Sequence, residues 1–199
     1  MSTDASGDGD RDAADLLPAR IDSVRVAGTP NGPVPVVCIA VEEDDPAAGK
    51  TREDGTAAGR TREDGVDSAG GPDGELVGEV LPIFIGFEEA RSIVRGMEAE
   101  PLGRPMTHDL TLDIVEELGG RVDGVVVSRL EEGTFFAELR LNTPREDVTV
   151  DARPSDSLAL AARTNAPLRV AAPVWEDAAE DADRFAELQD VREVFEDDE

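Results

Sequence analysis

Apolar positions recur with two periods along this chain. RIDSVRV (20–26), VPVVCIAV (34–41) and GEVLPIFIG (78–86) are β-branched-rich runs that predict three strands. From Phe87 the spacing becomes helical, with Ala90, Ile93, Val94 and Met97 on one face and a stop before Pro101. A second helix follows RPMTHD, with an apolar stripe of Leu110, Ile114, Val115 and Leu118, Thr107 as its expected N-cap, and Gly119 and Gly120 at its end. VDGVVVSRL, the turn Glu131-Glu132-Gly133 and TFFAELRL predict a β-hairpin. A strand over 147–152 comes next, then a helix opened by Pro154 and Ser155 and running from Asp156 to Arg163, closed by Asn165 and Pro167, then a last short strand in LRVAA. The order β, β, β, α, α, β, β, β, α, β is hairpin-rich, which favours α+β: a single compact mixed-sheet domain with about three helices.

The pattern lapses in three places. Residues 1–18 are acidic, small and too poor in apolar side chains to offset ordering entropy, so a disordered tail is expected there. Residues 42–77 are rich in Asp, Glu, Gly and Ala and carry TREDG twice, at 51–55 and 61–65. This low-complexity acidic insertion reads as a long solvated loop between two strands of one sheet, since loop closure entropy grows slowly with length. The domain is therefore expected over 19–173, followed by an acidic tail over 174–199. Phe185, Leu188, Val191 and Val194 fall near helical spacing, so that tail is expected to be disordered or a frayed amphipathic helix.

Charge changes what kind of protein this is. The 46 acids and 19 bases give a net charge of −27, and Lys50 is the lone lysine. Dense carboxylate with almost no lysine suits a cytoplasm of molar salt, where the Debye length is roughly 3 Å and acidic surface no longer repels a polyanion as in dilute buffer. Within 81–170, ten Arg face sixteen acids, a net of −6, so most of the excess lies in the tails and insertion. Arg patches interleaved with aromatics, expected of a sequence-reading nucleic-acid binder, are absent. The single Cys38, set in VPVVCIAV, excludes an intramolecular disulfide and reads as a small buried apolar residue. No run of 18 apolar residues and no export signal occurs, so a cytoplasmic protein with no membrane span is expected.

Three stretches, LPIFIGFEEA (81–90), RPMTHDL (104–110) and DARPSDSLALA (151–161), resemble the signature segments of the bifunctional nuclease (BFN, DUF151) family, in its order and spacing. The resemblance runs from about residue 20 to about residue 172, interrupted by the insertion. It implies a self-associating α+β domain, a homo-oligomer, whose substrate is DNA or RNA. The helical module that sometimes follows the domain in this family has no counterpart here, where only an acidic stretch follows.

Phosphodiester cleavage needs a nucleophile, charge stabilisation at the phosphoryl oxygens and help for the leaving oxygen, commonly from a carboxylate-held divalent metal, here Mg or Mn. His108, the only histidine, adjoins Asp109 on the first turn of a helix, and Arg104 lies just upstream. Asp151, Arg153, Ser155 and Asp156 cluster where a strand gives way to a helix. Helix N-termini with an adjacent Arg suit phosphate. The expected cleft therefore joins the helix starts at 107 and 154. In it, His108, Asp109 and Asp156 are catalytic, Arg104, Arg153 and Ser155 bind phosphate, and Asp109, Asp151 and Asp156 are the metal ligands.

A plainer account of the same residues stays open. Thr107, Ser155 and Asp156 are ordinary caps and dipole partners, and Arg153 simply pairs with Asp151 or Asp156. His108 is then structural, Gly86 allows a tight strand exit, and Glu88 and Glu89 suit a helix's first turn. Two functions follow: a nuclease with little sequence preference, or a non-catalytic oligomeric module that binds a ligand or a protein. A regulatory protein acting through its acidic tails ranks last, because such contacts are weak in molar salt.

Overall fold

The computed structural model describes residues 16–42, 76, 78–99 and 103–196. The expected N-terminal tail over 1–15 and nearly all of the expected insertion, 43–75 and 77, lie outside these residues. Residues 16–18, grouped with that tail above, begin the first strand.

Strand β1 (Leu16–Thr29) turns back at Pro30 and Asn31 into β2 (Gly32–Val41), with Thr29 paired to Gly32. Gly32 sits at φ +114°, in the region where a side chain is strained. β2 pairs in turn with β3 (Glu79–Phe84). After helices α1 (Phe87–Met97) and α2 (Thr107–Glu117), strands β4 (Arg121–Glu131), β5 (Thr134–Asn142) and β6 (Asp147–Ala152) form an antiparallel meander. Helix α3 (Pro154–Thr164) then crosses back so that β7 (Leu168–Ala171) inserts between β4 and β1, parallel to β4 and antiparallel to β1. These ten elements are those expected from the sequence, in the expected order.

The chain goes on where a tail was expected. α4 (Ala172–Ala178), β8 (Glu180–Asp181), α5 (Asp183–Ala186), β9 (Gln189–Asp190) and α6 (Val191–Glu196) bury Val174, Ala182, Phe185 and Val191. β8 adds to β3 and β9 to β1, giving the order β6-β5-β4-β7-β1-β2-β3-β8. The physical reason lies in β2, whose run Val36 to Ile39 is fully buried on both faces. Val37 and Ile39 meet Ile93 and Leu158 of the helical layer. Val36 and Cys38 meet Ala182 and Phe185 of the C-terminal segment. A continuous apolar strand needs two covers, and the acidic segment supplies the second with a few apolar side chains.

On the helical face, α1 packs Ala90, Ile93 and Val94 inward, and its Gly96 lies so close to α3 that a Cβ there would stand 3.0 Å from Ala162 Cβ. α2 departs from the expectation. None of its residues is buried, and Leu112 is the side chain that packs on the core. Of the apolar stripe, Val115 is half-buried, while Leu110 is 50%, Ile114 51% and Leu118 76% exposed. Helical spacing says which residues share a face, not which face meets the core. Among the described residues no helix is long and apolar enough to cross a membrane.

Candidate functional site

The N-terminal halves of all three long helices meet on the helical face of the sheet. α3 starts after Arg153, with Pro154 presetting the first turn. α2 starts after Met106, whose N–H donates to Asp109 Oδ2 at 2.9 Å, so Thr107 is the first helical residue and not the N-cap expected above. α1 starts after Gly86 with Glu88 and Glu89 in its first turn. Neither Gly86 nor Arg153 provides a side-chain cap.

Arg153 grips Asp156 with both arms of its guanidinium, Nε to Oδ2 at 2.7 Å and Nη2 to Oδ1 at 2.9 Å. Its Nη1 donates to Glu89 Oε1 at 3.2 Å. Asp156 Oδ1 lies 3.4 Å from His108 Nε2, and His108 Nδ1 lies 2.8 Å from Ser92 Oγ. Ser92 is one helical turn from Glu89, so the circuit Glu89, Arg153, Asp156, His108, Ser92 closes on itself across three helices. The bidentate Arg153 contact holds the Asp156 carboxyl below its usual range against the effect of burial, and His108 adds to the lowering. Asp156 in turn raises Arg153.

Asp109 faces elsewhere. Successive helical residues point about 100° apart, and Asp109 accepts from Arg163 Nε at 2.6 Å in a separate notch of about 310 Å³. Burial pushes its carboxyl up, but Arg163, the Met106 N–H and His108 together hold it below its usual range. Arg163 is 9% exposed and its Nη1 also donates to Ser92 O and Ala159 O, both at 2.8 Å, tying the three helices beneath the circuit.

Of the residues singled out from the sequence, His108, Arg153 and Asp156 are brought together, and Ser155 lines the adjoining cleft. Asp109 is turned to Arg163. Asp151 is on exposed β6, 3.7 Å from Arg129. Arg104 is exposed in the α1–α2 connection. Asp109, Asp151 and Asp156 thus answer to three different arginines, and among the described residues no three His, Cys, Asp or Glu groups converge as a metal set. This disposition does not fit a shared divalent ion. Sequence reading missed Ser92, Glu89 and Arg163: Glu89 looked like a dipole partner, and nothing local distinguishes Ser92 or Arg163.

A cleft of about 320 Å³ opens beside the circuit, walled by Phe84, Gly86 and Glu89, by Gly133, Thr134 and Phe135 of the β4–β5 turn, and by Arg153, Pro154 and Ser155. The helix starts sharing it belong to α1 and α3, where α2 and α3 were expected. A larger cavity of about 570 Å³ lies at the far end of α3, near Arg20, Met97 and Arg169, and includes none of the circuit. The smaller cleft is the one with chemistry at its wall.

The sequence pattern of the bifunctional nuclease domain matches residues 73–183. Two proteins from two strains of Mycobacterium tuberculosis, both described only as uncharacterized, are each 41% identical over 90 residues, which is 45% of this chain and 53% of theirs. The chain spans about half the length of these curated relatives.

Proposed function

Since the chain belongs to the bifunctional nuclease domain family, we propose that it hydrolyses phosphodiester bonds of DNA and RNA with little sequence preference, in the salt-rich cytoplasm its acid excess suits. What carries the reading is the imidazole of His108, fixed at both nitrogens by Ser92 and Asp156 beside an arginine that opens on a cleft. At rest Arg153 is spent on Asp156 and Glu89. A phosphate entering the cleft competes for the same fork, with the amides of α1 and α3 behind it. Asp156, released, is left to His108.

A hydroxyl both donates and accepts, so Ser92 follows either tautomer of the ring, and in the one whose Nδ1–H donates to Ser92 Oγ, Nε2 is unprotonated and can take up a proton. In hydrolysis the water oxygen bonds to phosphorus while its proton passes to His108 Nε2. The bond from phosphorus to the leaving oxygen breaks with its electron pair on that oxygen, which takes the proton back from His108 Nε2; Asp156 stabilises the imidazolium in between. No metal step is invoked, given the separation of the carboxylates.

The alternative is a non-catalytic module that binds a ligand or protein, favoured by the full pairing of Asp156 and Glu89 with Arg153, which recognises a phosphate without moving a proton. The deciding experiment is cleavage of single-stranded DNA, duplex DNA and RNA in molar KCl, with and without Mg²⁺ or Mn²⁺, beside His108→Ala and Asp156→Asn. Activity lost in folded variants supports the nuclease. Activity equal in all three proteins places it outside this site, and no activity favours the binding module.

Self-association belongs to the same reading, through the outward stripe of α2. Leu110, Ile114 and Leu118 are symmetric about Ile114, so antiparallel packing of two copies sets Leu110 on Leu118 of the partner subunit. It also brings the acidic end of each α2, Glu116 and Glu117, to the positive N-terminal end of the other.

A further inference from the structure

We propose that the cleft takes one nucleotide of a single strand, its phosphate on Arg153 and Ser155 and its base stacked on Phe84. This rests on the nucleic-acid reading above and specifies its substrate class. Three observations carry it.

The first is Phe84 itself. Along β3, Leu81 is fully buried and Ile83 nearly so, yet Phe84 at the strand end is 55% exposed and lies at the wall of the cleft. A large ring left in water beside a cavity is an open stacking platform. The second is Ser155. It lines the same cleft beside Arg153, with a hydroxyl that both donates and accepts. The third is the arrangement: Arg153 and the α1 and α3 helix starts stand on the same cavity as the ring. One end of the cleft therefore reads a phosphate and the other a flat apolar surface, within a volume of about 320 Å³ that suits a single nucleotide unit.

Two consequences separate this from general phosphate binding. In a duplex the bases are stacked on each other, so reaching Phe84 requires flipping one out at a cost of a few kcal/mol. A single strand meets no such cost. Molar salt removes most of the affinity that comes from counterion release, but stacking is not a charge effect. For a chain with a net charge of −27, an aromatic anchor holds nucleic acid under conditions where a basic groove fails.

The test is fluorescence anisotropy in molar KCl, using the full chain with His108→Ala to block turnover. The probes are a labelled single-stranded oligonucleotide, its duplex, an abasic strand of the same length and a mononucleotide. The mononucleotide is expected to occupy the same cleft, and the single strand to bind at least about tenfold tighter than the duplex and the abasic strand. Phe84→Ala weakens it by about 10- to 100-fold, the loss of one stacked base, and leaves the abasic strand unchanged. Phe84→Trp keeps the affinity and shows quenched indole emission in the complex. Equal binding by duplex and single strand, by the abasic strand, or by Phe84→Ala overturns the assignment. Phe84-dependent binding without cleavage by the wild type refutes the nuclease alone; cleavage with binding indifferent to Phe84 refutes this assignment alone.

Discussion

Ser92 Oγ lies 2.8 Å from His108 Nδ1, a contact between the middle of α1 and the first turn of α2. It fixes the ring so that Nε2 faces Asp156. If Nε2 moves the proton, His108→Ala lowers cleavage by about 10²- to 10⁴-fold. Ser92→Ala lowers it less and shifts its pH profile, because the ring then loses its partner at Nδ1. A Ser92→Ala enzyme with an unchanged profile in single-turnover assays shows that the hydroxyl is only packing.

Arg163 ties α1, α2 and α3 through three hydrogen bonds while 9% exposed. Arg163→Ala removes the guanidinium from Asp109 Oδ1, leaving that carboxylate only the Met106 N–H, and from two helix carbonyls, and a loss of about 3 kcal/mol is expected. Denaturant titration measures it. A loss under about 1 kcal/mol, the scale of an exposed pair, shows that water replaces the guanidinium.

Asp109 and Asp156 both have folded-state carboxyls held below their usual range. A depressed pKa means the stabilisation is complete above the unfolded value, about 3.9, and is lost as pH falls through the lower folded one. Asp109→Asn is therefore less stable than wild type at neutral pH, and the gap narrows on acidification below about pH 4. Stability curves against pH for the two proteins check this; a constant gap contradicts it.

Burial pushes the Cys38 thiol up to about 11, with a smaller opposing effect from Ser23. The thiolate is the reactive form, so a thiol reagent at pH 8 is expected to label the folded chain only at the rate of global unfolding. Rapid labelling in native buffer shows that the sheet opens locally around β2.

Ile114→Glu places a charge at the centre of the outward stripe of α2. The monomer's stability is expected to change by less than about 0.5 kcal/mol, since the site is exposed. In molar KCl, light scattering is expected to show a lower mass than for wild type. Equal masses remove this face from the assembly.

The order of the first ten elements was legible because strand and helix periods differ and each break carries Gly, Pro or Asn. The orientation of α2 was not: Leu110, Ile114 and Leu118 share a face whether it meets the core or water. His108 and Asp156 were legible as chemistry, but their partnership depends on where α2 and α3 cross. Asp109, adjacent to His108 in sequence, was assigned to the same cluster although a helix turns neighbours apart. The order of residues 172–196 was hidden because acidic composition masked four well-placed apolar side chains, Val174, Ala182, Phe185 and Val191.

The sheet is joined at its middle by β7 and β1, through pairs from Leu16↔Ala171 to Ala19↔Leu168, and β9 closes on β1 at Arg25↔Asp190. The first described strand thus waits for residues synthesised more than a hundred positions later. On the ribosome, β1 to β3 emerge as a hairpin-rich fragment with a bare edge. Contacts this distant in sequence form slowly, so the sheet is completed only after nearly the whole chain has left the tunnel. Until then solubility of the nascent chain rests on its charge.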